Sequence, residues 1–147
     1  MQPAYGGEWK TPIEAVEADG IRYAEVIWAH AKVECTTFFS VPESSFQFGL
    51  LAHRAGYQEE PHYHRPVTRE ISDLQQMFVV QRGIVAVQIY RDDTTLLREI
   101  VLHPGDAIVL IRGVHGIRII EDMQCLSVKQ GPFLGTEQDK VFVEVKK

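Results

Sequence analysis

The chain has 147 residues, a net charge of −5 and a composition 45% apolar and 24% charged. That length fits one domain, able to bury about two thirds of the surface its unfolded chain exposes, so neither metal nor disulfide is needed merely to fold. The acidic balance, with no Lys/Arg cluster larger than a pair, argues against nucleic-acid binding, and no apolar run approaches the roughly 18 residues of a membrane-spanning helix.

"MQPAYGGEWK" reads as a loose arm with Tyr5 and Trp9 as anchors. It lacks the basic and apolar regions of a signal peptide, so a cytoplasmic protein is expected. Thr11 as cap, Pro12 at the first position and Glu14 at the third predict a helical turn opening residues 11–19. From there the pattern is strand-like. "IRYAEVIWA" and "VECTTFFSV" are rich in β-branched and aromatic residues, and "SFQFGLLAHR" alternates around Phe46, Phe48 and Leu50. The segment "QMFVVQRGIVAVQIYRDDTTLLREIVL" predicts two or three strands turning at Arg82-Gly83 and at Asp92-Asp93. "HPGDAIVLIRGVHGIRIIE" reads as turn, strand, glycine turn and strand. "MQCLSVKQGPF" adds a strand ending at Gly131-Pro132, and the tail alternates Val141, Val143 and Val145 on one face. Many short strands at turn spacings of this kind predict an all-β sandwich or barrel. The expected organisation is an arm over residues 1–20 and a single domain over 21–147. Cys35 and Cys125 read as free thiols filling small core positions, with a disulfide as the alternative.

His62 and His64 are one residue apart, between Gly56 and a long apolar run. On a strand, residues two apart project to the same side, and paired neutral imidazoles suit Zn, Fe, Ni, Cu or Mn. Two loop histidines beside Pro61 and Pro66 are the plainer alternative.

The spacing Gly56, five residues, His62, one residue, His64 matches the opening of the first cupin motif, G-x5-H-x-H. Gly83 and the following strand match its end, and Gly105, Asp106, Gly113 and His115 resemble the second motif. The chain therefore resembles a small single-domain cupin over roughly residues 46 to 130, including a branch that carries "VKQGP", here residues 128–132. The resemblance implies a double-stranded β-helix, or jelly-roll barrel, with a divalent transition metal in its mouth. The ligands it implies are His62, His64, Gln76 (where the motif has Glu) and His115. It also implies pairing as a homodimer, for which the apolar N-terminal strands could cross over.

Three departures from the motif carry chemical weight. Replacing Glu by Gln removes a negative charge, and unit charges 4 Å apart interact by about 4 kcal/mol at an effective dielectric near 20, an upper guide to the attraction lost. Gln75 and Glu70 are lesser substitutes for the missing carboxylate. Between His64 and Gln76 stand eleven residues, where the motif has three or four. That insertion makes a longer loop, with Arg65, Arg69 and Glu70 as candidate substrate contacts. Finally, Ile111 replaces the second motif's proline and the run to His115 is one residue short. Such a slip reverses a strand's faces unless Gly113 absorbs it in a turn or bulge.

Elsewhere, His30, His53 and His103 read as ordinary surface histidines. Lys129 and Gln130 read as a solvated face with one of them able to meet a pocket, Phe48 and Phe78 as core, and Tyr63 as facing away from its two histidine neighbours. The function these readings favour is a metal-dependent enzyme acting on a small oxygen-rich molecule with a carbonyl, a carboxylate or a sugar-like body. The alternatives are a non-enzymatic module binding a small ligand such as a sugar, and a metal-free sugar isomerase or epimerase using histidine as base.

Overall fold

The computed structural model describes residues 13–146; Tyr5 and Trp9 lie outside the described residues. The chain divides into two compact units, one built from the segment ending at Ala31 together with everything from Leu74 onward, the other from Lys32–Asp73. The first unit carries a curled antiparallel sheet of six strands: β1 (Ile13–Ala18), β2 (Ile21–Ile27), β5 (Gln76–Tyr90), β6 (Leu96–Leu102), β7 (Ala107–Leu110) and β8 (His115–Lys129). The second holds the short strands β3 (Thr37–Phe38) and β4 (Gly49–Leu50). The only helix among the described residues is the single turn α1 (Thr136–Asp139), and none is long and apolar enough to cross a membrane.

Thr11 and Pro12 lie outside the described residues; from Ile13 on, where the helical turn expected over 11–19 would continue, strand β1 stands instead. Asp19 and Gly20 both adopt left-handed backbone, with φ of 52° and 75°, the conformation of a two-residue hairpin turn. The turn folds Ile13–Ala18 back onto β2 in antiparallel register. One isolated helical turn orders three residues for one hydrogen bond, so the hairpin wins. The second correction concerns Arg82-Gly83, which is no turn: β5 continues through it. The register of β5 against β8 slips between Val80 and Val85, so that β8 carries one residue more than β5. Gly83 sits at the bulge with φ 78°, and a Cβ there would lie 2.2 Å from the Asp122 carbonyl oxygen.

That slip changes which side chains of β5 face inward. Before it, Phe78 and Val80 point to the core; after it, Val85, Val87 and Ile89 do. Without the bulge, one half of the strand would present its polar set to the core. The inner face is completed by Val16, Val26, Ile100, Leu102, Ile108 and Leu110, all nearly sealed from solvent. Curling brings the two ends of the strand path together: Glu14 of β1 pairs with Arg98 of β6 and also accepts the Trp28 indole N–H at 3.2 Å. The outer face carries a polar row. Glu99 accepts from Gln88 at 3.0 Å and from Arg118 at 2.6 Å, three strands in one row.

Other expectations resolve plainly. The turn at Asp92-Asp93 is present, with Asp93 accepting the Thr95 backbone N–H and hydroxyl. These bonds, helped by Lys146, hold the Asp93 carboxyl down at about 2. "GIRIIE" and "MQCLSVK" form one strand, β8, rather than two. "VECTTFFSV" and "SFQFGLLAHR" contribute only two paired residues each; Gln47 instead donates to the carbonyls of Val41, Pro42 and Ser44 and ties this segment as a loop. Residues 141–146 form no strand, and Val141 and Phe142 stay exposed. Both cysteines are free, but Cys35 is exposed rather than core, while Cys125 packs against the inner cluster.

Gly83→Ala is expected to destabilise the protein by about 2 kcal/mol or more, since left-handed strain alone costs roughly 1–2 kcal/mol and the carbonyl contact adds to it. Gly20→Ala, where a Cβ meets nothing within 4 Å, should show only the strain. Urea unfolding of both variants checks this; equal losses would remove the bulge from the account.

Candidate functional site

The parity of β8 sets what the inner face offers. His115, Ile117, Ile119, Cys125, Ser127 and Lys129 are all odd-numbered positions, and their partners on β5 are inward-facing residues. Both ends of this face, Gln76 and Lys129 at one and His115 at the other, line a cavity of about 470 Å³ together with Arg112, Asp139 and Lys140, with Leu74, Leu110, Val141 and Phe142 as its apolar walls. The volume falls within the roughly 300–1,000 Å³ usual for small-ligand sites.

Local structure places each group. His115 opens β8 directly after the Arg112-Gly113 turn. Gly113 is left-handed (φ 82°), and a Cβ there would lie 2.7 Å from the Tyr23 ring. The turn is pinned from the other side, since the backbone N–H groups of Ile111 and Arg112 both donate to the Tyr23 carbonyl. With the turn made at Gly113, His115 takes an inward register opposite Ile89. Gln76 opens β5 opposite Lys129 and Leu110, and its amide donates to the Ser127 hydroxyl at 3.0 Å.

The cavity's charges are unequal in their engagement. Arg112 is held by Asp92 at 2.7 Å. Lys129 lies 3.9 Å from the Asp139 carboxylate and 4.7 Å from the Phe133 ring centre. Lys140 makes no ion pair among the described residues, so three cations face one lining carboxylate. Solvent reaches His115, yet the walls around the imidazole desolvate it and push its pKa below the ordinary histidine range. A hydrogen bond to the Gly113 backbone opposes that shift, and the Lys140 charge reinforces it. At neutral pH the ring is neutral and keeps an acceptor nitrogen.

The four residues expected as metal ligands fall into two pairs. Gln76 and His115 line the cavity just described. His62 and His64 belong to the other unit, on an irregular exposed segment, with ring centres 5.2 Å apart; the His62 ring Nδ1 lies 3.0 Å from the Glu60 carbonyl oxygen. Among the described residues no group of three or more His, Cys, Asp or Glu is gathered as a metal would need. His62 and His64 thus stand in one unit, Gln76 and His115 in the other.

Of the insertion, Arg65, Arg69 and Glu70 are exposed, as is Tyr63. Gln75 is buried, and its backbone N–H donates to the Gln130 side chain at 2.7 Å. Gly105 and Asp106 act structurally. Asp106 is buried and accepts the backbone N–H groups of Ala29 at 2.9 Å and His103 at 2.8 Å, which locks the turn between β6 and β7. Lys129, read as solvated, lines the cavity after all. Lys140 and Asp139 carry no motif signal; the valine alternation of the tail draws attention away from them. Glu25 also escaped notice. It is buried on the outer face, one oxygen bound by Arg22 and the other without a hydrogen-bond partner among the described residues, and burial raises its pKa.

No family model matches the sequence, and no curated protein or solved structure matches it either.

The His115 ring is expected to titrate below the ordinary histidine value in an NMR pH series. Lys140→Gln should move it upward while leaving it depressed, because desolvation is the larger cause. The folded ring resists protonation, so this group's contribution to stability is full above the ordinary histidine pKa and declines as pH falls through it. A His115 that titrates at or above the free value would contradict this electrostatic picture.

Proposed function

We propose that this chain binds a small, oxygen-rich molecule bearing a carboxylate or similar anion in the His115 cavity. The observation that carries the reading is the meeting of Lys140, unpaired among the described residues, with His115, Lys129 and Gln76 in one cavity of ligand size. An ammonium attracts the anion, the Gln76 amide suits hydroxyl or carbonyl groups, and a neutral imidazole accepts a proton from a bound hydroxyl or acidic carbon. The site is therefore equipped to bind, and to move a proton at the His115 ring if a substrate presents one. The cupin jelly roll belongs to the same proposal: an inward-curled antiparallel sheet supports it, and Gly113 and His115, which resemble the second motif, line the cavity.

A second reading keeps a metal-dependent enzyme with His62, His64, Gln76 and His115 as ligands of a divalent transition metal. What favours it is the closeness of the two exposed imidazoles of the HxH pair.

Calorimetric titration with acetate and with a sugar acid such as gluconate tests the first reading. Binding is expected to weaken roughly tenfold in Lys140→Gln, about 1.4 kcal/mol, and to persist in protein stripped with a chelator. No heat with either anion would overturn it. Elemental analysis decides the second: near one metal per chain, lost in His62→Ala/His64→Ala, supports it, and metal content unchanged in that variant contradicts it.

A further inference from the structure

A second, smaller cavity lies on the same inner face. Its volume is about 160 Å³, and its walls include Phe78, Val85, Val87, Leu102, Ile117 and Cys125. It forms at the register slip of β5 against β8, where Phe78 from before the slip and Val85 and Val87 from after it converge. Its lining contains no charged side chain. A dry apolar cavity of about 150 Å³ is enough to hold a benzene ring. Ile117 lines both this cavity and the cationic one, and it stands two residues from His115 on the same face of β8. That spacing is roughly 7 Å along a strand, the reach from a carboxylate to a ring two methylenes away.

The geometry points to an amphipathic acid as the ligand: a carboxylate held beside Lys140, joined by a short linker to a six-carbon apolar group seated among Phe78, Val85 and Ile117. This rests on the anion reading of the His115 cavity and names its ligand class. The apolar cavity supplies affinity because burying the ring removes apolar surface from water. The cations fix its direction, since the ring has no charged group to meet at the inner end. A sugar acid, polar along its whole length, fills the outer cavity and leaves the inner one without a guest.

Calorimetric titration of the full chain with 3-phenylpropanoate, 3-phenylpropanol and acetate tests the proposal. 3-Phenylpropanoate is expected to bind about thirtyfold or more tighter than acetate and at least about tenfold tighter than the alcohol. Cys125→Phe, which puts a ring into the inner cavity, should bring 3-phenylpropanoate down toward the affinity of acetate. Ser127→Leu, at the rim of the same cavity, carries the test if Cys125→Phe fails to fold. Equal binding of acetate and 3-phenylpropanoate, or a preference that survives both variants, overturns the amphipathic ligand while the anion site stands. If neither acid binds, both readings fall together. If the alcohol binds as tightly as the acid, the apolar cavity is real but the coupling to Lys140 is wrong.

Discussion

The bulge at Gly83 is the constraint on which the inner face depends. β5 is the strand shared by every part of the main sheet: β8 runs along one edge for its whole length, while β7 and β6 divide the other edge between them. A strand so placed must present apolar side chains inward along all of its length. Its sequence does so only by switching from even to odd positions midway, and the register slip against β8 is what permits the switch. Glycine is required there because the backbone is left-handed and the Asp122 carbonyl occupies the place of a Cβ. β8 has no such switch, so a single parity carries its inward set from His115 to Lys129.

The make-up of the inner face follows from that parity. The odd positions of β8 are apolar in the middle and polar at the ends of the set, and the inner face inherits the same gradient. The bulge opens a small apolar cavity, and the two ends of the face, with the 139–142 segment, gather His115, Lys129 and Lys140 around a larger one. Desolvation keeps the imidazole neutral while the ammonium groups remain in contact with water. A neutral acceptor beside a cation is a combination that recognises an acid better than a cation or a plain hydrocarbon. The buried Asp106 does its work by holding two backbone N–H groups, which fixes the turn on which β6 and β7 change direction.

Much of the main sheet was legible in the sequence because its signals are local. The alternation of β2, the Asp92-Asp93 turn, the run of Ala107–Leu110 and the turn at Gly113 each announce themselves within a few residues. Gly83 was misread because a glycine between two apolar runs marks a turn or a bulge equally well, and the decision lies with Asp122, distant in sequence. The capping pattern at Thr11 and Pro12 failed for a related reason: a local helix signal lost to a hairpin whose second strand supplies the bonds. His115 was singled out through motif spacing, and its register opposite Ile89 follows the turn at Gly113. Lys140 was not found, because nothing local distinguishes a lysine that lines a cavity from one that faces water.

The most direct test of the central claim is an NMR titration of the protein with acetate, read residue by residue along β5 and β8. The account predicts perturbations concentrated at Gln76, His115 and Lys129, with the outward-facing Arg118, Leu126 and Val128 left unmoved. Perturbations spread over the outward positions, or none on either face, would contradict a ligand site on the inner face of this sheet.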